Sequence, residues 1–153
     1  MSETIETVRS LVVPLDNGSI LLPGTVVAEI VPFVEPERTD AAAPDWVMGM
    51  AEWRDEQIPL ISFEALCGEP VPQPSRTARI AVLKALGGAQ ELRYFGVLTQ
   101  QIPRLLTVYE GGLEDLEREA GSPAVAARVM VNGEAVMIPD MDLLERDLKT
   151  LLA

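Results

Sequence analysis

The sequence predicts a mainly β protein built as two similar small lobes, each a β-barrel closed by a short helical segment. Three observations lead there. Short apolar, β-branched runs alternate with tight-turn signals such as Asn17-Gly18, Gly87-Gly88 and Asn132-Gly133. Only the last stretch sustains a helical stripe, through Leu144, Leu148 and Leu151. The stretch after Asp55 also resembles the stretch after Gly133, 78 positions later: Glu56 falls on Glu134, Ile58 on Val136, Leu60 on Ile138, Ser62 on Asp140 and Leu66 on Leu144. The 153 residues read as one domain, with approximate lobes 1–75 and 76–153 and exchange of strands between them left open.

Taken in order, Leu11–Leu15 and Ile20–Pro23 form a hairpin around Asp16-Asn17-Gly18-Ser19. Pro14 marks the first run as an edge strand, because proline cannot donate to a ladder. Thr25–Val34 is β-branched, with a short helical or bent piece expected at Ala28-Glu29. Glu35–Asp45 is a polar loop. Met48–Ala51 reads as a buried strand, Arg54–Gln57 as its turn and Ile58–Ile61 as the return. Ser62 can cap one helical turn over Phe63–Cys67, with Gly68 just past its end. Pro70, Pro72 and Pro74 fit neither a helix nor a central strand, so Glu69–Arg76 is expected to connect the lobes. Ile80–Leu86 and Leu92–Leu98 form the next hairpin. Gly96–Val108 continues extended past a break at Pro103. Leu113–Ala120 reads as a short acidic helix. Val125–Val131 and Ala135–Pro139 form the last hairpin, and Asp140 can cap a helix to Leu152.

Composition excludes several function classes. Twelve basic against 24 acidic residues give a net charge of −12, which disfavours nucleic acid and anionic membrane surfaces. With no histidine there is no Ser-His-Asp or Cys-His machinery and no His-ligated zinc. Cys67 is the single cysteine, so no internal disulfide forms. The start, MSETIETVRS, lacks the pattern of a signal peptide, and no apolar run is long enough to span a membrane. A cytoplasmic protein with no cofactor and no direct membrane insertion is expected.

The run from Val47 to Phe63 (VMGMAEWRDEQIPLISF) resembles the signature region of CheW-like domains, with Gly49, Arg54 and Pro59 at the characteristic spacing. Val27-Ala28-Glu29-Ile30 is similar to the family's V-x-E-[IV] segment. Phe95-Gly96-Val97-Leu98, with Ile102 and Leu105, is similar to its G-x-[VL]-V-D-x-V-x-x-[VL] segment. Asn132 to Leu144 is similar to its last hairpin and helix. The resemblance covers about residues 7–148, and the Trp53-Arg54 pair is similar to the ChpC-type members of type IV pilus chemosensory systems. Two positions depart from the pattern: Asp55 stands where glycine is usual, and Gln100 where aspartate is usual. The resemblance implies two five-stranded barrels packed over a hydrophobic core and an adaptor without chemistry of its own. It implies binding to the regulatory domain of a CheA-type histidine kinase and to the cytoplasmic tip of a methyl-accepting chemoreceptor.

Each candidate contact residue also has a plainer reading. Arg54 can reach partner carboxylates or carbonyls, or be a solvated turn arginine. Gly49 can admit a partner or a neighbouring strand, or serve a bulge. Val27 and Glu29 sit near the groove mouth, or in the core and in solvent respectively. Ile102 and Leu105 suit recognition of an amphipathic helix if exposed, and fill the second barrel if not. Trp53 is an interface anchor, or packs on Trp46. Glu114, Asp115, Glu117 and Glu119 read as a solvated face rather than a catalytic cluster. A small-molecule-binding β-barrel sensor is the alternative function. An enzyme using carboxylates would need two acids converging in a cleft.

Overall fold

A computed structural model describes residues 7–16, 18–38, 42–87, 92–109, 112–116 and 123–152. Eleven strands among these residues form two sheets. The first sheet contains β1 (Thr7–Leu15), β2 (Gly18–Pro23), β8 (Arg104–Tyr109), β9 (Leu113–Asp115), β10 (Val125–Val131) and β11 (Glu134–Pro139), in the order β8-β1-β2-β11-β10-β9. The second contains β3 (Val27–Pro32), β4 (Val47–Trp53), β5 (Glu56–Ile61), β6 (Arg79–Lys84) and β7 (Tyr94–Thr99), in the order β3-β6-β7-β5-β4. Helix α1 (Phe63–Leu66) follows β5, and α2 (Met141–Leu152) follows β11.

The two-lobed, mainly β architecture is present, with differences of detail. The second lobe has the expected five strands; the first carries a sixth, β9. Each lobe is a curled sheet rather than a fully hydrogen-bonded barrel. In the first, Arg104 of the edge strand β8 donates to Glu134 Oε1 of the interior strand β11 at 2.7 Å. In the second, Glu29 of the edge strand β3 accepts from Trp53 Nε1 of the other edge strand, β4, at 2.9 Å. Each sheet draws strands from both sides of residue 75. β6 and β7 complete the second sheet, while β1 and β2 anchor the first. The proline segment therefore joins α1 to β6 within one lobe.

Three apolar clusters follow from this arrangement. Val12, Leu21, Val108, Val129, Val131 and Val136 fill the first lobe. Ala51, Trp53, Ile58, Leu60, Ile80 and Val82 fill the second. A larger cluster lies between the sheets, including Leu22, Ile61, Phe63, Phe95, Leu144 and Leu148. Alternation along the strands supplies both layers: Val12 points into the first lobe and Val13 into the shared layer.

The repeat has a backbone counterpart. β4 and β10 have the same bounds displaced by 78, as do β5 and β11. The bulge between Val47 and Gly49 falls on the bulge between Val125 and Ala127. Both hairpins turn through two residues of positive φ, Arg54 (47°) and Asp55 (62°) in one, Asn132 (49°) and Gly133 (80°) in the other. This is the geometry that matches the strand twist in two-residue hairpins. Aspartate fits there less comfortably than glycine. Asp55→Gly is expected to raise stability by roughly 1 kcal/mol, read as an increase of about 3 °C in Tm by thermal circular dichroism.

Both helices are capped as expected: Ser62 Oγ accepts from Ala65 N at 3.2 Å, and Asp140 Oδ1 accepts from Leu143 N at 3.1 Å. Each helix also grips a turn in the opposite sheet. Glu64 of α1 accepts from Asp16 N at 2.9 Å at the β1–β2 turn. Glu145 of α2 accepts from Gly87 N at 2.7 Å at the β6–β7 turn. Both carboxylates are buried.

Four element readings are corrected. β1 is interior, not an edge: β8 pairs with Thr7–Val12 and ends before Pro14, so the proline meets no second partner strand. The helical piece near Ala28-Glu29 is a 3-10 turn at Gly24–Val26 followed by a bulge between Val27 and Glu29. Leu113–Asp115 is strand, not helix, because it pairs with Val129–Val131. Leu151 is 42% exposed, so the buried stripe of α2 comprises Leu144 and Leu148. The parts of the expected acidic helix from Glu117 onward, and Asn17 and Gly88 in their turns, lie outside the described residues.

Candidate functional site

β4 buries Gly49, Ala51 and Trp53 on one side and exposes Glu52 on the other. That alternation ends at the turn, so Trp53 is the last inward residue and Arg54 the first to leave the sheet. Trp53 is only 7% exposed. Its ring meets Tyr94 with centroids 4.8 Å apart at 55°, a tilted aromatic pair. The Arg54 guanidinium lies 4.8 Å above the same ring. Its Nη2 is 3.4 Å from Glu29 Oε1, the oxygen that also accepts from the indole.

The Arg54 side chain remains 66% exposed. In water such a pair contributes at most about 1 kcal/mol. Its effect is orientation: the carboxylate and the ring fix one face of the planar fork, and the remaining N–H groups face solvent. Beside it, Arg93 stacks over Tyr94 at 5.8 Å and lies 3.9 Å from Glu56. Two arginines, each on an aromatic ring and each beside a carboxylate, thus line one rim. A pocket of about 250 Å³ opens next to Arg54, between Val31, Val34, Ala51, Trp53 and Val82. This arrangement suits docking of a polypeptide with carbonyl or carboxylate groups near an apolar side chain.

The structure brings Glu29, Trp53 and Arg54 together. Trp53 does not pack on Trp46, which lies against the layer between the sheets. Burial makes Trp53 the support for Arg54 rather than an exposed anchor. Val27 is half-buried against the shared core. Gly49 is buried, with φ 143°, and a Cβ there would lie 2.7 Å from the Glu37 carbonyl oxygen. The close neighbour is thus the chain's own segment Glu37–Arg38, at a bulge. Ile102 and Leu105 sit on the first lobe and are 59% and 80% exposed, so they do not fill the barrel. Tyr94, Arg93 and Glu56 were not singled out from the sequence. Their proximity comes from the pairing of β7 with β5 and β6, which no local pattern encodes.

Gln100 has a structural task. It is 7% exposed; its Oε1 accepts from Ser75 N at 2.8 Å and its Nε2 donates to Gln73 O at 3.3 Å. An ionised carboxylate could accept but not donate here, so the usual acid is replaced by a neutral tie on the proline segment. Gln100→Ala is expected to cost about 1 kcal/mol by removing both ties to the exposed Gln73 and Ser75 backbone, measured by urea unfolding. Among the described residues no group of three or more Cys, Asp or Glu is arranged to hold a metal ion, and no helix is long and apolar enough to cross a membrane.

The model of the CheW-like domain family matches residues 9–148. The solved structure of the scaffolding protein TtCheW from Thermoanaerobacter tengcongensis is similar in fold, with a TM-score of 0.74 and 17% sequence identity. The match covers 92% of this chain and 88% of that one. No curated protein matches the chain by sequence.

Proposed function

The chain belongs to the CheW-like domain family, and from that premise we propose that it is a non-enzymatic chemosensory adaptor coupling a methyl-accepting receptor to a CheA-type histidine kinase. The observation that carries this reading is the exposed Arg54 fork, held by Glu29 and Trp53 at the mouth of the second lobe. Glu29, Arg54 and the exposed Ile102 and Leu105 are the contact residues for the receptor's cytoplasmic tip or the kinase's regulatory domain; Val27, Gly49 and Trp53 shape the surface beneath them. Coupling then requires only that both partners bind and that one kinase state binds better, a linkage effect. The Trp53-Arg54 pair and the strongly acidic chain favour a pilus-linked chemosensory system.

The test uses the native full chain in calorimetric titrations against a soluble receptor hairpin tip and a purified kinase regulatory domain. Dissociation constants in the micromolar range, about 1–50 μM, are expected for both. Binding to neither partner at about 500 μM overturns the proposal.

A further inference from the structure

The two helices begin alike and end differently. Each follows a repeat-related hairpin and starts at a capping residue, Ser62 or Asp140. α1 has four residues and α2 has twelve. The extra turns of α2 fill space against the β6–β7 turn: Leu148 is buried, Glu145 accepts from Gly87, and Lys149 Nζ lies beside Gly87. At the related place in the other half, α1 stops at Gly68 (φ 92°), and Pro70, Pro72 and Pro74 prevent its resumption.

What remains there is a cavity of about 500 Å³ between the end of α1, the β1–β2 hairpin and the β10–β11 strands. Leu15, Phe63, Val125, Val136 and Met137 supply apolar wall. Among the described residues the charged lining comprises Glu64, Glu69 and Arg128, and the exposed Asp16 stands beside Glu64. The lining is thus polar and apolar in about equal parts with an acidic excess, in a chain of net charge −12.

We propose that this cavity is a docking site for a helical segment of another protein, amphipathic and carrying lysine or arginine beside an i, i+4 apolar pair. The segment takes the place that the later turns of α2 hold in the other half. Its apolar pair meets the half-buried Val125 and Met137, as Leu144 and Leu148 meet the core. Its basic residue meets Glu69 and Asp16. Among the described residues the site shares no lining residue with the Arg54 cluster.

The test is NMR titration of the uniformly labelled full chain with two synthetic helical peptides that share one leucine pair, one with lysine flanks and one with glutamate flanks. The lysine peptide is expected to give saturable shifts at Leu15, Ser19, Cys67 and Met137, with a dissociation constant near 100 μM. Ala135→Trp, which adds bulk at an exposed wall position, and Glu69→Lys, on an exposed loop, should each weaken binding about tenfold while the thermal unfolding curve stays in place. No saturable shift at these residues, or equal binding of both peptides, overturns the proposal. So does an unchanged affinity in both variants. Shifts that depend on protein concentration without peptide would assign the cavity to a second copy, and a response to hexanoate but not to peptide would assign it to a small molecule; either result also overturns it.

Discussion

Gly49→Ala is expected to destabilise the protein by about 3 kcal/mol, from two separable causes. The first is the backbone: φ at Gly49 is 143°, a conformation that side-chain-bearing residues rarely adopt. The second is space. The added Cβ would lie 2.7 Å from Glu37 O, 2.9 Å from its carbonyl carbon and 3.2 Å from Arg38 N. These are backbone atoms, so no side-chain rotation relieves the contact. The segment cannot withdraw freely either, because Glu37 and Met50 exchange two backbone hydrogen bonds of 2.9 Å each. Gly133→Ala separates the causes. It has φ 80° and nothing within 4 Å of an added Cβ, so it carries only the conformational cost of about 1 kcal/mol. Urea unfolding of both variants checks this. Equal losses would show that the Glu37 segment yields without cost.

Arg54→Glu is expected to weaken partner binding at least 30-fold, equivalent to about 2 kcal/mol, with Tm moved by less than about 3 °C. The small stability effect follows from exposure, since a pair that is 66% and 41% exposed is heavily screened. The large binding effect follows from chemistry. The variant removes the outward N–H donors and places a carboxylate beside Glu29, where a partner carbonyl or carboxylate would meet repulsion. Arg54→Lys keeps the charge but loses the planar fork, and an intermediate loss is expected. Calorimetry against the receptor tip and the kinase regulatory domain reads all three proteins. Unchanged affinities for both partners in Arg54→Glu would remove Arg54 from the interface.

Local chemistry was the legible part of this fold. Asn132-Gly133 demanded a tight hairpin turn, Ser62 and Asp140 announced helix starts, and Ile58–Ile61 could only be a buried strand. The spacing of Gly49, Arg54 and Pro59 located the turn that carries the exposed cation. What stayed hidden was set by pairing across long separations. Leu113-Glu114-Asp115 has helix-compatible composition, but β10 offers an open edge, and the ladder with Val129–Val131 overrides propensity. Pro14 suggested an edge strand because the sequence does not show where β8 ends. Tyr94 and Glu29, 41 and 24 positions from Trp53, reach it only because their strands share its sheet. Exposure of Leu105 was equally invisible, since apolar character alone does not reveal which side of a curled sheet faces water.

The crossed grips of Glu64 on the β1–β2 turn and Glu145 on the β6–β7 turn have a mechanical consequence. Separating the halves would tear a buried carboxylate from its amide at each end, so both grips resist a swing of one half away from the other. Two proteins seated on different lobes would be held at a constant separation and angle, as by a fixed gauge. Motion imposed on one would then be passed to the other instead of being absorbed in between.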